Sequence, residues 1–317
     1  CIMLGLLLSI WMGAGFCVSK AASSAQFFIN QRLSGAAGEL SLSFLPDLTG
    51  EYVLASFSNG TVEAEVVQAG ASVASGALPL TVRLNAEVEA ELRLKASAAF
   101  NFEIMRSSLG RSAFNPLAIS AERTNRSLTR ARDVHWFRFT AETAGTHLFK
   151  TVRGVNGGVD VHLNVFDENG AVLAETVRAE DSEGAFVTLS KGESCLIRVA
   201  ADGESTGKYS LFARLFSEDI PAEITLSQDS HALQTGQWQR LKPQTDVEPK
   251  LFLWSSDDES VATVSGEGVV AAVGEGTCEI TCLGANGASA TVSITVSRAF
   301  VRGVTAARSA SGRRLQP

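Results

Sequence analysis

The sequence predicts an all-β protein built of tandem antiparallel β-sandwiches, and three observations carry that reading. Short apolar runs alternate in period two between Gly-rich and acidic turns, most clearly from Ile224 to Val296. No long amphipathic helix stands out after the first residues, and 28 glycines suit a chain rich in turns. A length of 317 residues leaves room for two or three small domains. The net charge of −7 argues against nucleic acid and against an anionic membrane surface as partners.

Residues 1–25 read as a signal peptide or an N-terminal anchor. Ile2 to Val18 is apolar except for Ser9, and Lys20 with "AASSAQ" follows, which places a cleavage site after Ala25. The chain starts with Cys1 and lacks a basic stretch before the apolar run, so a fragment missing its true start is expected. Phe16 stands where a lipoprotein signal needs a small residue, so Cys17 is not read as a lipid site.

Two β-modules follow, at 38–107 and 117–215, related by duplication. Phe44 aligns with Phe139 and Gly50 with Gly145 at an offset of 95; Leu84 aligns with Leu189 and Arg93 with Arg198 at 105. Phe100 then aligns with Tyr209, and the extra residues are placed in the "FDENG" hairpin of the second copy. In that copy Phe137 and Phe139 share one strand face and should be core, while Trp136 and Arg138 face the other way. Asp167 to Gly170 reads as a hairpin turn.

Asp133 ahead of Trp136, Phe137 and Phe139, then Gly145, then Gly207-x-Tyr209-x-Leu211, resembles the bacterial pre-peptidase C-terminal (PPC) domain. The resemblance implies a small sandwich or jelly roll attached to secreted peptidases and other exported proteins. It also raises calcium, which some members hold through clustered carboxylates. Calcium takes about six to eight oxygens, and here the acidic pair has become Asp133-Val134-His135 beside the basic "ERTNRSLTRAR". No structural calcium is therefore expected, and Asp133 is read as a solvated residue at a strand start.

Residues 221–297 form the third module. In "SVATV", Val261 and Thr263 alternate with Ala262 and Val264; in "GVVAAV" both faces are apolar, so that strand should be central. Gly266 and Gly268 around Glu267 supply a turn. The corner Trp254-Ser255-Ser256-Asp257 and the strand Ser260-Val261-Ala262 are followed by Gly268-x-Val270-x-Ala272, Gly276 and Ile280-Thr281. Together they resemble the bacterial Ig-like group 2 domain (BIG2). That resemblance implies a non-catalytic module of surface proteins, adhesins and multimodular secreted enzymes. Residues 298–317 carry five Arg and no acid and read as a disordered basic tail.

Sites for chemistry were sought among the polar residues. The four His show no metal-binding or nucleophile spacing, and His135, His147 and His162 read as the polar face of one sandwich. Glu180 and Asp181, like Asp257 and Asp258, read as solvated turn carboxylates. Cys278 and Cys282, four apart on one strand, should lie about 13 Å apart, too far for a disulfide, so free buried thiols are expected. No catalytic, cofactor-binding or metal residue is expected, and the chain is not read as an enzyme. Trp136 and Trp238 remain as candidate ligand contacts, since flat exposed aromatic rings carry glycan platforms.

The reading is a secreted or cell-surface bacterial protein with a structural or adhesive role. Its partners would be a cell-wall or host surface protein or glycan, and it would meet the membrane only through the N-terminal segment. The first alternative is the accessory region of a larger exported peptidase or glycoside hydrolase; the second is a carbohydrate-binding module.

Overall fold

The structure is a computed structural model that describes residues 16–18, 26–57, 60–120, 123–227 and 229–298. The proposed leader, apart from Phe16–Val18, and the proposed basic tail beyond Arg298 lie outside the described residues. Among the described residues no helix is long and apolar enough to cross a membrane, which says nothing of β-barrels.

The first sandwich comprises β1 (Phe16–Val18), β2 (Gln26–Phe27), β3 (Arg32–Gly35), β4 (Gly38–Phe44), β5 (Gly50–Ser56), β6 (Val62–Gln68), β7 (Ala71–Ala77), β8 (Leu80–Leu84), β9 (Ala90–Ala96) and β10 (Phe100–Arg106). The second comprises β11 (Leu117–Ile119), β12 (Thr124–Leu128), β13 (Val134–Thr140), β14 (Gly145–Arg153), β15 (Val161–Phe166), β16 (Val172–Ala174), β17 (Val177–Ala179), β18 (Ser182–Leu189), β19 (Ser194–Ala201) and β20 (Gly207–Leu215). The third comprises β21 (Ser230–Gln234), β22 (Trp238–Arg240), β23 (Leu253–Ser256), β24 (Ala262–Val264), β25 (Val269–Ala272), β26 (Gly276–Leu283) and β27 (Ser289–Ser297).

Apart from β1 at one edge of the first and β17 at one edge of the second, the first two sandwiches share one strand order. The first pairs β2-β4-β9-β6-β7 with β1-β3-β10-β5-β8; the second pairs β11-β13-β19-β15-β16 with β12-β20-β14-β18-β17. Register agrees as well. Gly50 faces Leu84 as Gly145 faces Leu189, and Ser41 faces Arg93 as Trp136 faces Arg198. The hairpin at Asp167 to Gly170 forms as expected, with the Gly170 N–H donating to the Asp167 carbonyl. It does not hold all the extra residues, however. The second sandwich also has β17, a strand without a counterpart in the first.

Period-two alternation builds the cores. Phe137, Phe139, Phe149, Leu163 and Tyr209 fill the second sandwich, and Phe44, Tyr52, Leu92 and Phe102 fill the first. In the third, a four-stranded sheet β21-β27-β26-β23 covers a three-stranded sheet β22-β25-β24. Its β25 is central, as its doubly apolar sequence predicts. Trp254 anchors this core, with Nε1 donating to the Pro249 carbonyl at 2.9 Å. Gly268 sits at φ +78° with Trp254 against it, and a Cβ there would lie 2.7 Å from the ring. Cys195, Cys278 and Cys282 are free and buried, and burial pushes the Cys195 and Cys282 thiols up to about 12.

Candidate functional site

The outward faces of the second sandwich are covered by its neighbours. On one side β13 and β19 turn Val134, Trp136, Leu196 and Ala200 onto Ala55 and Met105 of the first sandwich. Trp136 is only 1% exposed, lying between Phe57 at 6.5 Å and Phe166 at 5.7 Å between ring centroids. It is therefore not a surface contact for a ligand. It does face away from the core of its own sandwich, but the first sandwich occupies that side. The Arg32 guanidinium lies 4.9 Å from both the Phe57 and Phe166 rings. Beside it Glu103, fully buried, meets Arg32 at 3.5 Å and Arg198 at 3.6 Å. Asp133 is buried too, a correction to its expected solvation, with its carboxylate held by Arg106 and Arg111. Both guanidiniums lie on Oδ1, and Oδ2 accepts from the Thr129 N–H at 3.4 Å.

On the other side Leu148, Val177, Ala179 and Phe186 join the core of the third sandwich. Lys150 is buried there, and its Nζ donates to the carbonyls of Gly266 at 2.8 Å and Lys250 at 3.0 Å. Glu180 and Asp181, read as solvated turn residues, instead hold the third sandwich. The Glu180 N–H donates to the Val264 carbonyl at 2.7 Å, and Asp181 accepts from the Gly266 N–H at 2.7 Å. The two surfaces meet closely at Gly184, where a Cβ would lie 2.6 Å from Leu253 Cδ2 and 3.0 Å from the Phe149 carbonyl oxygen.

Burial pushes the Lys150 ammonium down to about 8 from an ordinary 10.5, against the pull of Asp181 and Glu267. Between those values the unfolded chain holds a proton that the folded chain has released, so this group makes stability rise with pH across that window. Below about pH 8 both states are protonated and its slope vanishes. The full rise is on the order of 3 kcal/mol. Denaturant titrations from pH 7 to 10.5 should show the rise in the wild type and its loss in Lys150→Met. Parallel curves for the two proteins would disprove a buried lysine at this junction.

The histidines do not form one polar face. His135 is buried, with Nδ1 2.6 Å from the Tyr209 hydroxyl, and burial pushes it down to about 4. His147 is buried at one end of the same sandwich, while His162 lies between Glu183 at 3.3 Å and Asp202 at 3.7 Å. Among the described residues no group of three or more His, Cys, Asp or Glu is arranged to hold a metal ion.

Among the described residues Trp238 is the aromatic ring most open to solvent, 70% exposed at the start of edge strand β22. It pairs in register with Ala271, and Arg240 on the same strand pairs with Glu267 at 3.6 Å. Val273 is also exposed, just beyond β25. The two candidate tryptophans thus separate, one inside a junction and one on an open edge. Sequence reasoning passed over Lys150, Glu103 and the Phe57–Trp136–Phe166 stack, because a charged or aromatic residue on an outward strand face has the same local pattern whether water or another module covers it.

No relative matches among curated proteins. Among solved structures, the C-terminal 282-residue fragment of intimin, in complex with the intimin-binding domain of the translocated intimin receptor, is 13% identical with a TM-score of 0.21. That likeness covers 53% of this chain and 64% of the intimin fragment. The N-terminal four Ig domains of Dscam1 isoform 1.9 are 10% identical with a TM-score of 0.19, over 87% of this chain and 71% of that one. Overlaps this small carry no argument. The family comparison does: residues 222–296 match the bacterial Ig-like domain (group 2), so the third sandwich is a domain of that kind.

Proposed function

We propose that this chain is part of a secreted or cell-surface bacterial protein whose role is to hold modules at fixed spacing for display and adhesion. The observation that carries this reading is the pair of packed junctions. Trp136 and Glu103 join the first sandwich to the second, and Lys150 with Asp181 joins the second to the third. Modules on loose tethers would swing, whereas buried aromatic and ionic contacts fix their angle. The twin sandwiches are read as one duplicated module by their common register, and as PPC-like by the residues from Asp133 to Leu211 that carry that resemblance. Small-angle scattering of the full chain should fit one elongated envelope at all concentrations. A flexible ensemble in the wild type would remove the reading.

A second reading, contact with a cell-wall or host glycan or protein, is favoured by Trp238. Trp238→Ala should change stability by less than about 0.5 kcal/mol, since the ring is on the surface. The same variant should lose retention on immobilised cell-wall glycan or host-surface protein, and unchanged retention would remove this contact. The accessory region of a larger exported peptidase or glycoside hydrolase is the alternative role, and it predicts the same folding behaviour for the isolated chain.

A further inference from the structure

One end of the second sandwich holds a cleft that the display role does not use. Its volume is about 450 Å³, inside the range of about 300–1,000 Å³ usual for small-ligand sites. It opens between the parallel β11/β13 pair of one sheet and the β14/β20 pair of the other, where the turn at 141–145 crosses. Ile119 and Leu215 supply an apolar wall, Thr140, Glu142 and Thr143 a polar rim, and His147 also lines the cleft.

His147 is only 2% exposed, edge-on to Phe139 at 5.2 Å and stacked on Phe149 at 6.4 Å. Its Nδ1 lies 3.0 Å from the Gly145 carbonyl oxygen, which only accepts, so in the neutral ring Nδ1 carries the proton. That leaves Nε2 as a bare acceptor, and no described residue donates to it. Because the ring lines the cleft, Nε2 takes its donor from water there or from the hydroxyl of a ligand that displaces that water.

The first sandwich shows how the same end looks when it is closed. At the offset that aligns Gly50 with Gly145, His147 corresponds to Tyr52 and Thr143 to Leu48. By register, Phe27 beside Phe44 corresponds to Ile119 beside Phe139. Tyr52 packs edge-on to Phe44 at 5.6 Å, and its hydroxyl donates to the Leu48 carbonyl at 2.7 Å. Each of these three positions is smaller in the second sandwich, so the end that the first copy fills and satisfies is left open in the second.

We propose that this cleft is a sugar site, taking one or two neutral hexopyranose units. A sugar hydroxyl donates to His147 Nε2, the C–H face of the ring rests on Ile119 and Leu215, and further hydroxyls exchange hydrogen bonds with Thr140, Thr143 and Glu142. A purely apolar ligand would leave Nε2 unpaired. An anionic one would meet Glu142 at the rim, where Arg138 is already paired with Glu168 at 3.2 Å.

The test is saturation-transfer NMR on the full chain with millimolar glucose, galactose, mannose, N-acetylglucosamine, cellobiose and chitobiose. Transfer to at least one sugar is expected. It should vanish when Thr143→Leu and His147→Tyr are combined, which copies the packing of the first sandwich. Thr143→Leu alone, at the exposed rim, should weaken binding at least tenfold whether or not the double variant folds. The proposal is overturned if no sugar receives saturation or if Thr143→Leu binds as the wild type does.

Discussion

Trp136→Ala is expected to cost about 3–5 kcal/mol, the range for truncating a buried aromatic where the surroundings relax only in part. The ring separates Phe57 from Phe166, and its loss opens a cavity between two sandwiches rather than inside one. The core of the second sandwich, with Phe137 and Phe139 on the opposite strand face, keeps its contacts. The loss should therefore appear as uncoupling. Urea unfolding of the wild type should show the first and second sandwiches melting together, and the variant should show the first leaving at lower denaturant. A cost below about 1 kcal/mol with an unchanged profile would mean that the sandwiches do not pack this way in solution.

Trp254→Ala should cost a similar ~3–5 kcal/mol, but confined to the third sandwich. The ring is buried against Gly268, and removing it also takes one of two donors from the Pro249 carbonyl, which keeps the Phe252 N–H at 3.2 Å. Trp254→Phe keeps most of the packing and loses that hydrogen bond, so its cost should fall nearer 1–2 kcal/mol. Hydrogen exchange across β23, β25 and β26 is the readout, with protection lost there and retained in β5 and β10 of the first sandwich. Uniform loss across all three sandwiches would mean that the whole chain unfolds as one cooperative unit.

These two tryptophans show what was legible in the sequence. Trp254 announces itself, because the Trp-Ser-Ser-Asp corner and the glycine fourteen residues on belong to one local pattern. Phe137 and Phe139 were legible for a related reason: alternation along a strand sorts inside from outside without reference to any other part of the chain. Trp136 sits on the outward face of the same strand, and alternation stops there. Trp136 and Trp238 had equal claims as surface contacts, yet one lies within a junction and the other on a free edge. Lys150, Asp133, Glu180 and Asp181 were hidden in the same way. An ionisable residue on an outward face reads as solvated, and only the arrival of a neighbouring module pairs it, as at Glu180 and Asp181, or buries it as well, as at Lys150 and Asp133.

The cleft adds a different case. The alignment of Gly50 with Gly145 already set Tyr52 opposite His147. What that exchange means depends on whether the space left by the smaller ring is filled from elsewhere, which is a question of volume.

By itself, then, the sequence determined the strand periodicity, the aligned repeat of residues between the first two sandwiches and the Ig-like character of the third. All three follow from local steric alternation and turn chemistry that repeat along the chain. Only the tertiary structure decided which outward faces meet water, which charges are buried at the junctions and which sandwich end stays open. Those outcomes depend on surfaces brought together from distant parts of the chain, and no local pattern encodes that approach.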